Sequence, residues 1–157
     1  MTLRIFIALL AGLFAMPAFA EEATGYATVL GADRVDIAGK SFRLYGIVTP
    51  RLGHVCKNKS GKNFDCGAIA VTALKDLTAG AVVHCKHMKP STVQDTPARC
   101  LAAGYDLSKG MVYTGWAIPK TKEYSLLMKN MEKAKLRKHG LWAGAFSLSG
   151  VSYSGSK

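Results

Sequence analysis

The residue types in this 157-residue chain that point most directly to chemistry are its cysteines, Cys56, Cys66, Cys85 and Cys100, with His84 and His87 nearby. Thiolates and imidazoles together can hold zinc, but structural zinc sites draw on closely paired ligands, and the cysteine gaps here are nothing like C-x-x-C. His84 and His87 stand an odd number of positions apart, so a regular strand turns them to opposite faces. No metal is expected from this set. Disulfide chemistry is the other reading: four cysteines allow three pairings, and spacing alone does not choose among them. Local pairing, Cys56 with Cys66 and Cys85 with Cys100, is the expectation. It staples two segments rich in loop signals, each closure worth about 3 kcal/mol on a chain-entropy argument.

Cations supply the second kind of chemistry. Lys plus Arg number 21 against 10 Asp plus Glu, a formal charge of +11. A bias of this size says nothing about fold and favours polyanionic partners: nucleic acid, acidic polysaccharide or an anionic membrane surface. Lys129, Lys133 and Arg137 recur at four-residue steps, close to Lys122, Lys135 and Lys138. That stripe is either a polyanion contact or the solvated face of an amphipathic helix.

The elements that must position these residues begin after a leader. Arg4 precedes an apolar run from Ile5 to Met16, and Ala18-Phe19-Ala20 offers small residues to a signal peptidase. Residues 1–20 therefore read as a signal peptide, residues 21–146 as one domain and 147–157 as a flexible Ser/Gly-rich tail. Without Arg4, 20 basic residues face 10 acidic ones, so the folded part keeps a charge of +10. No later stretch reaches the roughly 18 apolar residues of a membrane span. The expected product is a secreted or periplasmic monomer in a compartment where disulfides persist. At 49% hydrophobic and 20% charged residues, disorder and fibrous repeats are excluded.

Alternation at Tyr26, Thr28 and Leu30, then at Val35 and Ile37, then across Ser41 to Ile47, predicts a three-stranded meander. From Arg51 to Asp65 the pattern dissolves into a loop. Ile69, Ala70, Ala73, Leu74 and Leu77 predict a helix over 67–79 stopped by Gly80. Ala81 to His87 and Ala98 to Ala102 make five strands in all. Asp106 is a predicted N-cap for a second helix, and Thr121 for a third carrying Tyr124, Leu127, Met128, Met131 and Ala134 on its core stripe.

This order, with Phe42-Arg43-Leu44-Tyr45-Gly46-Ile47-Val48-Thr49-Pro50 and His139-Gly140-Leu141-Trp142-Ala143-Gly144, resembles the thermonuclease (staphylococcal nuclease-like) family over about 25–146. The cysteine spacing is similar to that of its secreted bacterial members. The resemblance implies an α+β, β-rich fold: a five-stranded OB-type β-barrel with three helices. It also implies nucleic acid as a family substrate, cleaved with a calcium ion on two aspartates and a carbonyl, a glutamate for the water, and two arginines on the phosphate.

Carried over position by position, Asp33 keeps one aspartate ligand, Arg43 one arginine, and Thr49 the carbonyl. Val48 stands where the second aspartate belongs, Arg51 where the glutamate belongs, and Asp95 where the second arginine belongs. Asp36 could replace a ligand only from the opposite face of its strand. No catalytic set is intact, and a pocket that attracts a divalent cation in active members here prefers an anion. The expectation is a non-catalytic protein without cofactor that binds nucleic acid or acidic polysaccharide through Arg43, Arg51, Lys129, Lys133 and Arg137. The alternatives are a calcium-dependent phosphodiesterase and an accessory protein of exopolysaccharide or cell-envelope production.

Overall fold

A computed structural model describes residues 21–89, 96–148 and 150–154; the leader 1–20, Asp95 and residues 155–157 of the expected tail lie outside them. The chain opens with β1 (Glu22–Tyr26) and β2 (Thr28–Gly31), separated by Ala27, then β3 (Arg34–Ile37), β4 (Lys40–Leu44) and β5 (Ile47–Val48). A short pair, β6 (Val55–Lys57) and β7 (Asn63–Asp65), leads into α1 (Cys66–Thr78), and β8 (Val82–His87) and β9 (Pro97–Ala102) follow. The chain then forms β10 (Tyr105–Asp106), α2 (Leu107–Tyr113), β11 (Ile118–Pro119), α3 (Ser125–Leu136) and a 3-10 turn at Gly140–Ala143. It ends in β12 (Ala145–Leu148) and β13 (Val151–Ser154).

The result is a strand-rich α+β fold with three α-helices. The main sheet runs β1-β8-β9-β4-β3-β2, with β10 added to β9. All five expected strands belong to it, yet its ladders do not close into a barrel, because β1 and β2 stand at its two ends. Most pairs are antiparallel; β4 and β9 are parallel, with Arg43 opposite Pro97 and Leu44 opposite Ala98. Pro97 is tolerated because it is the first residue of its strand.

Period-two alternation sends Val35, Ile37, Phe42, Leu44, Val83, Cys85, Ala98 and Cys100 to one buried face. Leu74 of α1, Met111 of α2 and Leu127 of α3 close over the same core. Each large side chain so buried contributes about 1.5–3 kcal/mol. The Cys85–Cys100 disulfide joins residues directly opposite in the β8–β9 ladder, and Cys56–Cys66 ties β6 to the first residue of α1. His84 and His87 do fall on opposite faces of β8: His84 Nδ1 lies 2.8 Å from the Thr24 hydroxyl, while His87 is buried against Phe42.

Three expectations need correction. The 51–65 loop contains the β6–β7 hairpin, whose tip is held by Asn58: its Oδ1 accepts from the N–H groups of Ser60 at 2.9 Å and Lys62 at 3.0 Å. The expected tail from Ser147 is drawn into β12 and β13, because the ring of Tyr153 packs 5.0 Å from Trp142 and 5.8 Å from Phe146. Thr121 does not cap α3, which begins at Ser125 after Tyr124 without any side-chain cap. Asp106 does cap α2, accepting from the Lys109 N–H at 3.1 Å.

Candidate anion-binding cleft

The β3–β4 hairpin brings Asp33 and Arg43 together, since the Leu44 N–H donates to the Asp33 carbonyl at 2.8 Å. After β4 the chain turns through Gly46, whose φ of +69° suits glycine and leaves room for Tyr124: a Cβ there would sit 3.1 Å from the Tyr124 ring. β5 then pairs with β11, Val48 opposite Ile118. The Lys120 N–H donates to the Gly46 carbonyl at 2.8 Å, which delivers Lys120 to the rim.

Thr49 and Pro50 are buried, and the chain emerges at Arg51. The Arg51 carbonyl accepts from the His54 N–H at 2.9 Å, and the His54 carbonyl accepts from the Cys66 N–H at 3.0 Å. Gly67 admits this turn against α1, because a Cβ there would lie 1.7 Å from the Arg51 carbonyl oxygen.

These segments enclose a cleft of about 480 Å³. Asp33, Arg43, Val48, Thr49 and Arg51 all line it, so the positions singled out in the sequence are brought together. Lys120, His54, Tyr124 and Leu148 join them, and none was predicted there. Lys120 carries no sequence signal beyond following Pro119; only the β5–β11 pairing puts it at the rim. Tyr124 reads as part of a core stripe, and it is in fact the half-buried end of that stripe.

Among the described lining residues Asp33 is the one carboxylate, against the cations of Arg43, Arg51 and Lys120. None of those three cations forms an ion pair among the described residues. A single carboxylate cannot offset them, and partial enclosure strengthens their combined attraction for an anion. Behind the cleft wall, Tyr45 packs edge-on against Tyr124 with ring centroids 5.9 Å apart. Burial, reinforced by the neighbouring Asp106 carboxylate, pushes the Tyr45 phenol up to about 12.

The remaining predicted residues lie elsewhere. Asp36 Oδ1 accepts from the Gly39 N–H at 3.0 Å and serves the β3–β4 turn. Lys129 and Lys133 are exposed on α3 and do not line the cleft. Arg137 donates a hydrogen bond to the Tyr113 hydroxyl and covers that ring at 5.3 Å. His54 approaches Cys56 and Cys66 closely enough for a three-ligand metal cluster, but both sulfurs are spent in their disulfide.

The chain is similar to a polysaccharide biosynthesis protein. Succinoglycan biosynthesis protein ExoI of Rhizobium meliloti (strain 1021) is 26% identical over 126 residues, a match covering 78% of this chain and 66% of that relative. This chain thus spans about two thirds of the relative's length. No protein-family profile matches the chain. The two disulfides fit a non-cytoplasmic compartment, and among the described residues no helix is long and apolar enough to cross a membrane.

Proposed function

We propose that this chain is a thermonuclease-like protein of the OB type, exported by its leader, that binds an acidic polysaccharide in the Asp33–Arg43–Arg51–Lys120 cleft without cleaving it. Its role on this reading is that of an accessory in exopolysaccharide production. The observation that carries the proposal is the cleft's charge: among the described residues, three cations that form no ion pair surround one carboxylate. Arginine forks match a sugar carboxylate through paired N–H donors, and the lysine adds an adaptable point charge. The similarity to a succinoglycan biosynthesis protein favours polysaccharide over nucleic acid.

The OB assignment is supported by the way the sheet path starts and finishes. Its two ends, β1 and β2, are one run of chain interrupted at Ala27, so a single bent strand serves both edges. That is the arrangement a small closed barrel needs to leave no free edge.

The donor set does not fit the calcium ion that catalytic relatives of the thermonuclease type use. A hard cation takes six to eight oxygens, several of them anionic. This cleft offers the Asp33 carboxylate, the oxygens of Thr49 and three positive side chains.

The test is binding of the full mature chain to polygalacturonate, to a neutral glucan and to duplex DNA at matched salt. The acidic polysaccharide should bind, the neutral glucan should not, and the double variant R43A/K120A should lose most of the affinity. Equal binding of both polysaccharides would refute the electrostatic basis. Saturable binding to DNA alone would move the protein back to a nucleic-acid role.

A further inference from the structure

A second cavity, of about 330 Å³, lies beside the β6–β7 hairpin and is lined by Lys57, Asn58, Lys59, Ser60 and Phe64 against the 140–144 turn. Its walls are held in place. Asn58 ties the hairpin tip through its side chain and also through its backbone, accepting from the Gly61 N–H and donating to Lys62, both at 2.9 Å. The Cys56–Cys66 disulfide clamps the hairpin base. Gly144 packs so closely on the other side that a Cβ there would lie 1.9 Å from the Lys57 carbonyl oxygen. Lys57 and Lys59 are exposed and form no ion pair among the described residues. Because the backbone that carries the two lysines is already held, an anion bound there has only their side chains left to order.

This cavity and the cleft stand at opposite ends of the same two strands. Leu148, the last residue of β12, lines the cleft, while Ala145 at its start pairs with Lys57. On the other strand, His54 lines the cleft just before β6, and Lys57 closes β6 at the second cavity. Three residue steps at about 3.3 Å each put the facing edges of the two sites roughly 10 Å apart along the strand backbone, with the cleft's cations farther off.

We infer that the hairpin cavity is a second subsite for the same acidic polysaccharide chain, taking one anionic sugar at Lys57 and Lys59 while the cleft holds another. The inference rests on the proposed function of the cleft. The half-buried Phe64 and the polar side chains of Asn58 and Ser60 line the same cavity, a mix of apolar surface and hydrogen-bonding groups suited to a sugar. Linking two sites through one ligand makes the second contact intramolecular, so affinity must rise sharply once the oligomer is long enough to reach both.

The test measures binding of oligogalacturonates of defined length, from the dimer to the decamer, to the mature protein. Affinity should step upward by about tenfold or more where the chain first spans both sites. K57E/K59E should abolish that step and leave the shortest oligomers unchanged. The control K75E/K109E makes the same charge change on α1 and α2, outside both cavities, and should preserve the step. Circular dichroism and the melting temperature of each variant confirm that it folds. A smooth length dependence in the wild type, or a step that survives K57E/K59E, overturns the second subsite while the cleft reading stands. A wild type that binds no oligogalacturonate at low salt overturns both. A step found with single-stranded DNA of graded length and not with oligogalacturonates overturns the ligand class.

Discussion

The Tyr45 hydroxyl donates to Asp106 Oδ2 at 3.1 Å, and through this bond the wall of the cleft is tied to the start of α2. Asp106 also accepts from Arg99 Nε at 3.3 Å and caps α2, so one buried carboxylate ties the turn after β4 to β9 and α2. The Ser108 hydroxyl closes the arrangement by donating to the Tyr45 carbonyl at 2.9 Å. Tyr45 in turn supports Tyr124, which lines the cleft.

A pH dependence follows from that bond. Burial first, then the charge of Asp106, raises the Tyr45 phenol from 10.0 to about 12. The folded state therefore favours the neutral phenol. Its contribution to stability is complete below pH 10 and is lost as pH rises through 12. Tyr45→Phe should cost about 1 kcal/mol at neutral pH through the missing hydrogen bond. Urea unfolding between pH 9 and pH 12 should then show a shallower alkaline loss than the wild type. Parallel curves would mean that Tyr45 does not carry the linkage.

Metal affinity provides a second test. Calorimetric titration of Ca²⁺ should give no saturable isotherm below millimolar concentration. V48D/R51E returns two carboxylates to the cleft and removes one cation, and should bind Ca²⁺ measurably more tightly. A micromolar isotherm from the wild type would require oxygens beyond Asp33 and Thr49 and would reopen the phosphodiesterase reading.

The α3 stripe makes a prediction about salt. On duplex DNA as a probe, each phosphate neutralised contributes about 0.9 to the slope of log affinity against log salt. Lys129 and Lys133 are exposed, whereas Arg137 is engaged by Tyr113. Reversing the two lysines to Glu should flatten the slope by about 2, with R137E adding less than either. Arg43→Ala should change it by about 1. An unaltered slope after the double lysine reversal would remove α3 from the contact surface.

Two glycines separate close packing from backbone freedom. Gly67→Ala drives a methyl into the Arg51 carbonyl, and should cost about 3 kcal/mol or more while displacing Arg51 and weakening anion binding. Gly61 has a φ of +76° and open space around it, so Gly61→Ala should cost only about 1 kcal/mol of backbone strain. Denaturant melts and a polygalacturonate titration compare them. Equal losses in both variants would show that the Arg51 turn yields to Gly67→Ala.

Local alternation and spacing determined much of this protein. The parity of Val35, Ile37, Phe42 and Leu44 is a property of neighbouring residues, as is the capping of α2 by Asp106, so these features are legible in one dimension. The disulfide partners were one choice of three until β8 and β9 placed Cys85 opposite Cys100. The segment 51–65 and the tail from Ser147 lack strong apolar runs. Their strands form because distant partners, Ala145 beside Lys57 and Tyr153 on Trp142, supply the ladder and the packing. The positions read as Asp33, Arg43, Val48, Thr49 and Arg51 do meet in one cleft. Lys120 reaches that cleft solely through the pairing of β11 with β5, a contact between residues about seventy positions apart in the chain, which no local pattern encodes. Charge composition pointed to an anion; the tertiary structure decided which cations surround one space and which, on α3, stand apart from it.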